Sequence, residues 1–254
     1  MEIVFLAIIS HVIADFIFQT EEIVELKEQK GIKGYIYHGL GIFAASFVLL
    51  FSNDGIKDLI LFLSLITIIH LIIDYIKVEL EQGEFSNNKL FSIFNFIIDQ
   101  VLHILLIIFL LSLLDLGKPI ILEIVNIKFL FSILILIYLT FGGSILIRKT
   151  LDLIYRRKPN YLDIIENSTE EKDLLKEARV GKYIGILERT ILFIVLINGK
   201  MEAVGFIIAA KSFTRFKQLE KKEFAEYYLI GTLLSVTFAL ISYVIYSSYE
   251  LFNI

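Results

Sequence analysis

The sequence predicts an all-α fold: a polytopic transmembrane bundle of about eight helices with both termini outside. Three observations carry this. Hydrophobic residues make up 57% of the chain and the mean hydropathy is +0.76, far above the balance of a soluble domain. Apolar runs of roughly 20 residues, the length that crosses a bilayer core, recur along the chain. Only two prolines interrupt 254 residues. In hydrocarbon every backbone polar group must find its partner within the protein, so such runs are helices.

The first run, 2–20, stands where a secretory leader would. Its opening "ME" lacks positive charge, its core holds His11 and Asp15, and no clean small-residue cleavage site follows. It therefore reads as a lasting helix. The second to fifth runs cover 36–52, 57–78, 90–114 and 129–149. Segment 150–182 is highly charged and reads as a cytoplasmic linker. Its periodic Leu and Ile allow part of it to lie on the membrane surface as an amphipathic helix, and a cytoplasmic partner would dock there. The sixth and seventh runs, 183–198 and 201–216, are short and separated only by "NGK" at 198–200, a turn signal. This predicts a hairpin that does not cross fully. The eighth run is 225–248. The expected organisation is a four-helix N-terminal membrane module (1–116), a fifth helix within 117–149, the linker 150–182 and a C-terminal membrane module (183–254).

Charge sets the orientation. Nineteen of the 24 lysines and arginines fall after the first, third, fifth and seventh runs. By the positive-inside rule those segments face the cytoplasm. The absence of cysteine excludes disulfides, iron–sulfur clusters and thiolate-bound zinc. Nothing resembles the basic, aromatic-interleaved surface of a nucleic-acid binder, so nucleic acid is set aside and the lipid bilayer is the expected partner.

Ionisable groups inside spans are costly and mark function or interhelical pairing. "HVIADFIF" at 11–18 and "HLIIDYIK" at 70–77 share His, Ile, Asp and Ile at matching positions, which suggests a parallel two-helix repeat. Residues four apart share a helix face. His11 with Asp15, His70 with Asp74, and Asp99 with His103 therefore each aim an imidazole and a carboxylate in one direction. At about 1.5 Å per residue, Asp15, His38, Asp74 and Asn95 lie roughly 5–8 Å below the cytoplasmic boundary, and His11, His70 and Asp99 roughly 12–14 Å. Four helices thus offer nitrogen and oxygen ligands at two shared depths, a set suited to zinc, manganese or iron. The expected metal ligands are His11, Asp15, His38, His70, Asp74, Asp99 and His103. Lys77, one turn past Asp74, would sit near the rim, positioned for a carboxylate or an anionic substrate. Against this, each imidazole–carboxylate pair alone is also common glue between membrane helices.

The C-terminal half repeats the asymmetry. "GILERT" places Glu188 and Arg189, and "AAKSFTRF" places Lys211, Ser212 and Arg215, near cytoplasmic helix ends. Arg189, Lys211 and Arg215 form a candidate anion-binding lip for phosphate or carboxylate; equally, they pair with Glu188 and Glu226. Gly142, Gly143 and Ser144, like Gly231, Thr232 and Ser235, permit close helix packing.

Taken together, "HVIADFIFQT", "HLIIDYIK", "DQVLH", "GILERTILFIVLINGKMEAVGFIIAAKSFTRF" and "EYYLIGTLLS" resemble an uncharacterised bacterial integral membrane family, the domain of unknown function 3307. The resemblance implies a helical membrane fold in the bacterial cytoplasmic (inner) membrane, and no reaction. More distantly, the His/Asp pattern is similar in type to bacterial membrane-bound metal-dependent hydrolases, although their clustered His-Ser segment is missing. Three functions stay open. The first is a metal-dependent hydrolase acting on an amphiphilic or phosphate-bearing substrate, with Asp15, Asp74 and Lys77 as the catalytic groups. The second is a divalent-cation or proton-coupled transporter, and the third a non-catalytic scaffold or sensor.

Overall fold

In the computed structural model, residues 2–83, 88–155 and 170–252 are described, and among them every regular element is helical. Of the expected linker 150–182, residues 156–169 lie outside the described residues, and its last part, 170–182, is the start of the helix Glu170–Ile197. The helices gather into two compact units, Met1–Ile137 and Tyr138–Ile254.

The first unit begins with α1 (Glu2–Ile13), which runs into a π-helical turn, Ala14–Phe18. The chain then bends by 87° into α2 (Glu21–Glu28), so the first run is not one straight helix. Two local causes act at the bend. Thr20 caps α2, its hydroxyl accepting a hydrogen bond from the Ile23 N–H at 3.4 Å. The α2 sequence "EEIVELKE" is also too charged to continue through hydrocarbon. Instead α2 packs on α3 (Ile32–Leu50). Gly34 makes this crossing possible, because a Cβ there would lie 2.8 Å from the Lys27 nitrogen and 2.9 Å from the Leu26 Cβ.

The unit continues through α4 (Ile56–Gln82), α5 (Lys89–Leu113), a 3₁₀ turn at Ile120–Glu123 and α6 (Ile127–Ile137). Asn88 caps α5 by accepting from the Phe91 N–H at 3.1 Å. Helix α1 is central, packed against α3, α5 and α6, while α4 packs against α3 and α5. Leu6, Val12, Ile42, Phe62, Leu63 and Ile107 form its apolar interior.

In the second unit a π-helical turn, Tyr138–Gly142, leads into α7 (Gly143–Ile154). Then come α8 (Glu170–Ile197), α9 (Glu202–Thr214), the single turn α10 (Phe216–Leu219) and α11 (Lys222–Phe252). Helix α8 packs against α9, α11 and the π-helical turn. The expected reversal at "NGK" is present. Gly199 sits at φ +67°, its N–H bonds the Leu196 carbonyl and the Lys200 N–H bonds the Val195 carbonyl, both at 3.0 Å. This pairing is the Schellman ending of a helix.

Five helices are long and apolar enough to cross a membrane, or six if the bent α1–α2 pair is one span. They contain the second, third, fourth, fifth and eighth expected runs. The two halves of the hairpin do not qualify. The apolar part of α8 carries Lys182, Glu188 and Arg189, and α9, with 13 residues, is about 20 Å long against a core of about 30 Å. The long helices turn Ile32, Leu40, Val48, Leu105 and Phe109 outward and bury histidine, aspartate and lysine, the reverse of a soluble bundle. This is a membrane protein.

Candidate functional site

The polar residues of the first unit converge. Helix α1 supplies His11, and the π-helical turn supplies Asp15. That turn carries one residue more than an α-turn, closed by Gln19 donating its N–H to the Ala14 carbonyl at 3.0 Å. Such insertions into helices concentrate at functional sites. Helix α3 contributes His38, α4 contributes His70, Asp74 and Lys77, and α5 contributes Asp99, Gln100 and His103. Every one of the seven expected ligands is in the cluster. All four imidazoles are buried, at 3% exposure or less.

His38 and His70 stand between two aspartates. Asp15 Oδ1 lies 3.2 Å from His70 Nε2 and 3.5 Å from His38 Nε2. Asp74 Oδ2 lies 3.2 Å from His38 Nε2 and 3.7 Å from His70 Nε2. The two Nε2 atoms are 3.0 Å apart. His11 Nε2 is 3.7 Å from Asp15 Oδ2, and its ring stacks on His103 with centroids 4.9 Å apart. His103 Nδ1 is 2.8 Å from the Asp99 carbonyl, which as an acceptor places the ring proton on Nδ1 and leaves Nε2 a lone pair.

Two ammonium groups complete the cluster. Lys27 from α2 donates to Asp74 Oδ2 at 2.5 Å and passes over the Tyr35 ring at 5.9 Å. Lys77 donates to Asp99 Oδ2 at 2.8 Å, so the expected rim lysine is engaged with a carboxylate of the centre. Gln100 donates to both Asp15 Oδ2 (3.3 Å) and Asp99 Oδ2 (3.2 Å), tying the two acids together. At the edge of the cluster, outside the spans, Lys30 pairs with Glu79, and that hydrogen bond raises the ammonium pKa above its ordinary value.

Several polar atoms lack partners. Both ring nitrogens of His11, His38 Nδ1, His103 Nε2, Asp15 Oδ1 and Asp99 Oδ1 are buried without a hydrogen bond among the described residues. A buried polar atom left unpaired costs about 1–3 kcal/mol, so this concentration asks for a water or an ion. Three sets bring their ligand atoms within 4.8 Å of one another: His11–Asp15–His103, Asp15–His38–His70 and His70–Asp74–His103. Asp15, His70 and His103 each serve two sets, so the donors form one connected basin. With neutral imidazoles, three carboxylates against two ammoniums leave one negative charge uncompensated, which a bound cation would balance.

The three residues expected to form an anion lip lie in the second unit and do not act together. Arg189 is buried and turns toward the π-helical turn, donating to the Thr140 carbonyl at 2.8 Å and to Ser144 Oγ. Lys211 donates to Glu188 Oε2 at 2.6 Å. Arg215 ends α9 and donates to Gln218 Oε1 at 3.5 Å.

Two members of the centre escaped the sequence reading. Gln100, a polar residue within "IIDQVLH", carried the same signal as its neighbour Asp99. Lys27 carried none. In "ELKEQK" it reads as one of several solvated lysines, and only the bend after Phe18 folds it back onto Asp74.

A family model described as "Protein of unknown function (DUF3307)" matches residues 3–131, a stretch that contains the whole centre. No curated protein and no solved structure matches the chain.

Proposed function

The chain belongs to that family of unknown function, and from this premise we propose that its His/Asp centre binds one or two divalent transition-metal ions and serves a membrane-embedded hydrolase. The observation that carries the reading is the connected donor basin, in which Asp15 joins two ligand sets and unpartnered nitrogens of His11 and His103 face the same space. Nitrogen and oxygen donors without thiolate suit zinc, manganese or iron. The bound ion would lower the pKa of a coordinated water toward neutrality and so supply the nucleophile.

The chain's own groups take the remaining roles. Asp15, common to two donor sets, would be a ligand for the metal or, if not used as one, would take up a proton from water. Gln100 holds Asp15 and Asp99 in register. Lys27 and Lys77 hydrogen-bond Asp74 and Asp99 and place two positive charges where an anionic, phosphate-bearing or amphiphilic substrate would arrive. The bias of lysine and arginine toward the segments after the first, third, fifth and seventh runs supports an opening on the cytoplasmic face of a bacterial inner membrane, with both termini outside.

Elemental analysis of the purified chain tests the proposal. One to two equivalents of zinc, manganese or iron are expected in the wild type, with loss in His11→Ala/His103→Ala while helical content is retained. Metal kept at full stoichiometry by that variant, or no metal in wild type grown with supplementation, would overturn it.

A second reading, transport of a divalent cation or proton, draws support from one feature. The first helix is interrupted beside Asp15, by the π-helical turn and the 87° bend, and transporters place ion sites at such breaks. Metal or proton flux into vesicles containing the protein separates the two, because a hydrolase opening to one face gives none.

A further inference from the structure

The second unit holds a buried guanidinium that makes no ion pair within hydrogen-bonding reach among the described residues. Arg189 is 4% exposed in α8. A guanidinium stays ionised at any pH the protein meets. The groups it reaches, the Thr140 carbonyl and Ser144 Oγ, are neutral. The adjacent acid, Glu188, is taken by Lys211 at 2.6 Å, and no described carboxylate lies within ion-pair distance of Arg189. Glu188 also attracts Arg189 across space, so among these three described groups one carboxylate faces two cations and one positive charge is left over. A buried unpaired ion costs several kcal/mol, which carbonyl dipoles offset only in part.

The surroundings are shaped for a ligand. Arg189 Nε is buried without a partner, which leaves one donor of the guanidinium fork unused. The guanidinium lies between two glycines. A Cβ on Gly143 would stand 3.6 Å from Nε, an ordinary contact, and one on Gly185 would stand 3.3 Å from Nη1, so only at Gly185 would a side chain press on the guanidinium.

We propose that Arg189, with Ser144 Oγ at its side, is the core of a phosphate-binding site in the second unit, separate from the His/Asp centre. The ligand is a phosphate group, brought either by the headgroup of an anionic membrane lipid or as a free ion. Phosphate fits because one of its oxygens can accept the unused Nε–H while its charge neutralises the guanidinium, which Ser144 Oγ, its own proton given to the Thr140 carbonyl at 2.7 Å, helps hold in place. Lys211 is not part of the site, since Glu188 holds it.

The test uses the full chain, purified in detergent and delipidated. Thermal unfolding is followed with added phosphatidylglycerol, with a phosphate-free galactolipid, and with inorganic phosphate. Phosphatidylglycerol is expected to raise the unfolding temperature where the galactolipid does not. A rise with inorganic phosphate alone would identify the free ion as the source. Arg189→Gln should abolish the response, and Ser144→Ala should weaken it without removing the charge. Because Arg189→Gln also frees the Thr140 carbonyl and could fail to fold, phosphorus bound to the wild type after washing is measured independently. About one equivalent is expected, and none would overturn the proposal, as would an equal response in Arg189→Gln or equal shifts with phospholipid and galactolipid. His11→Ala/His103→Ala should leave the phosphate response intact and Arg189→Gln the metal content, so failure here and failure of the metal reading are distinguishable.

Discussion

The two units bury charge in opposite ways. In the first, acids outnumber ammoniums, and Asp15, His70 and His103 are each shared among several neighbours, so the centre behaves as one network. In the second, Glu188 and Lys211 form a closed pair and Arg189 stands apart on backbone and hydroxyl oxygens. A shared network left short of positive charge suits a cation. A lone guanidinium suits an anion. The lesson is that ionisable residues at similar positions in apolar helices acquire chemistry from how their partners are distributed, not from their presence alone.

The sharpest way to break this contrast is to remove one partner of a buried pair. Asp74→Asn should destabilise the protein by about 3–5 kcal/mol, because it strands the Lys27 ammonium in a low-dielectric interior. Lys27→Met/Asp74→Asn should recover much of that loss, seen by chemical unfolding in mixed micelles as a large coupling energy. If the double variant is no more stable than Asp74→Asn, Lys27 is not the charge that Asp74 balances. The network character is sharpened by Gln100→Leu, which removes the link between Asp15 and Asp99 without touching a ligand. Metal affinity should fall about 10–100-fold in a competition titration, the usual range for a lost supporting hydrogen bond. In the second unit, Glu188→Gln should cost less than Asp74→Asn, because the stranded Lys211 side chain is 22% exposed where that of Lys27 is 6% exposed. Smallest of all, Lys30→Gln should leave the unfolding temperature unchanged. Its pair with Glu79 is exposed on both sides, and an equally large effect there would erase the distinction between the buried network and its rim.

Much of the first unit was legible in the sequence because membranes make two signals strong. Apolar length gives spans, and the rarity of ionisable residues in hydrocarbon makes each one informative. His11, Asp15, His38, His70, Asp74, Asp99 and His103 were assembled from helical spacing and depth, and they converge. The hairpin at Asn198–Lys200 was likewise marked by its turn residues. What escaped was the interruption of the first helix. A π-helical turn inserts one residue without proline or any other breaker, so "ADFIF" looks like uninterrupted span. The bend that follows depends on packing of α2 against Gly34, a tertiary contact that local pattern does not encode, and Lys27 went unnoticed for the same reason. The anion lip failed differently. Arg189, Lys211 and Arg215 share a region of the sequence, but α9 commits Lys211 to Glu188 while α8 points Arg189 at the π-helical turn.

The central claim is that the imidazoles and acids of the first unit jointly hold a metal ion. X-ray absorption at the metal edge of the loaded, purified chain tests it most directly. The account predicts a nitrogen and oxygen shell with scattering from more than one imidazole. No bound metal, or the spectrum of a hydrated ion without imidazole, would contradict it.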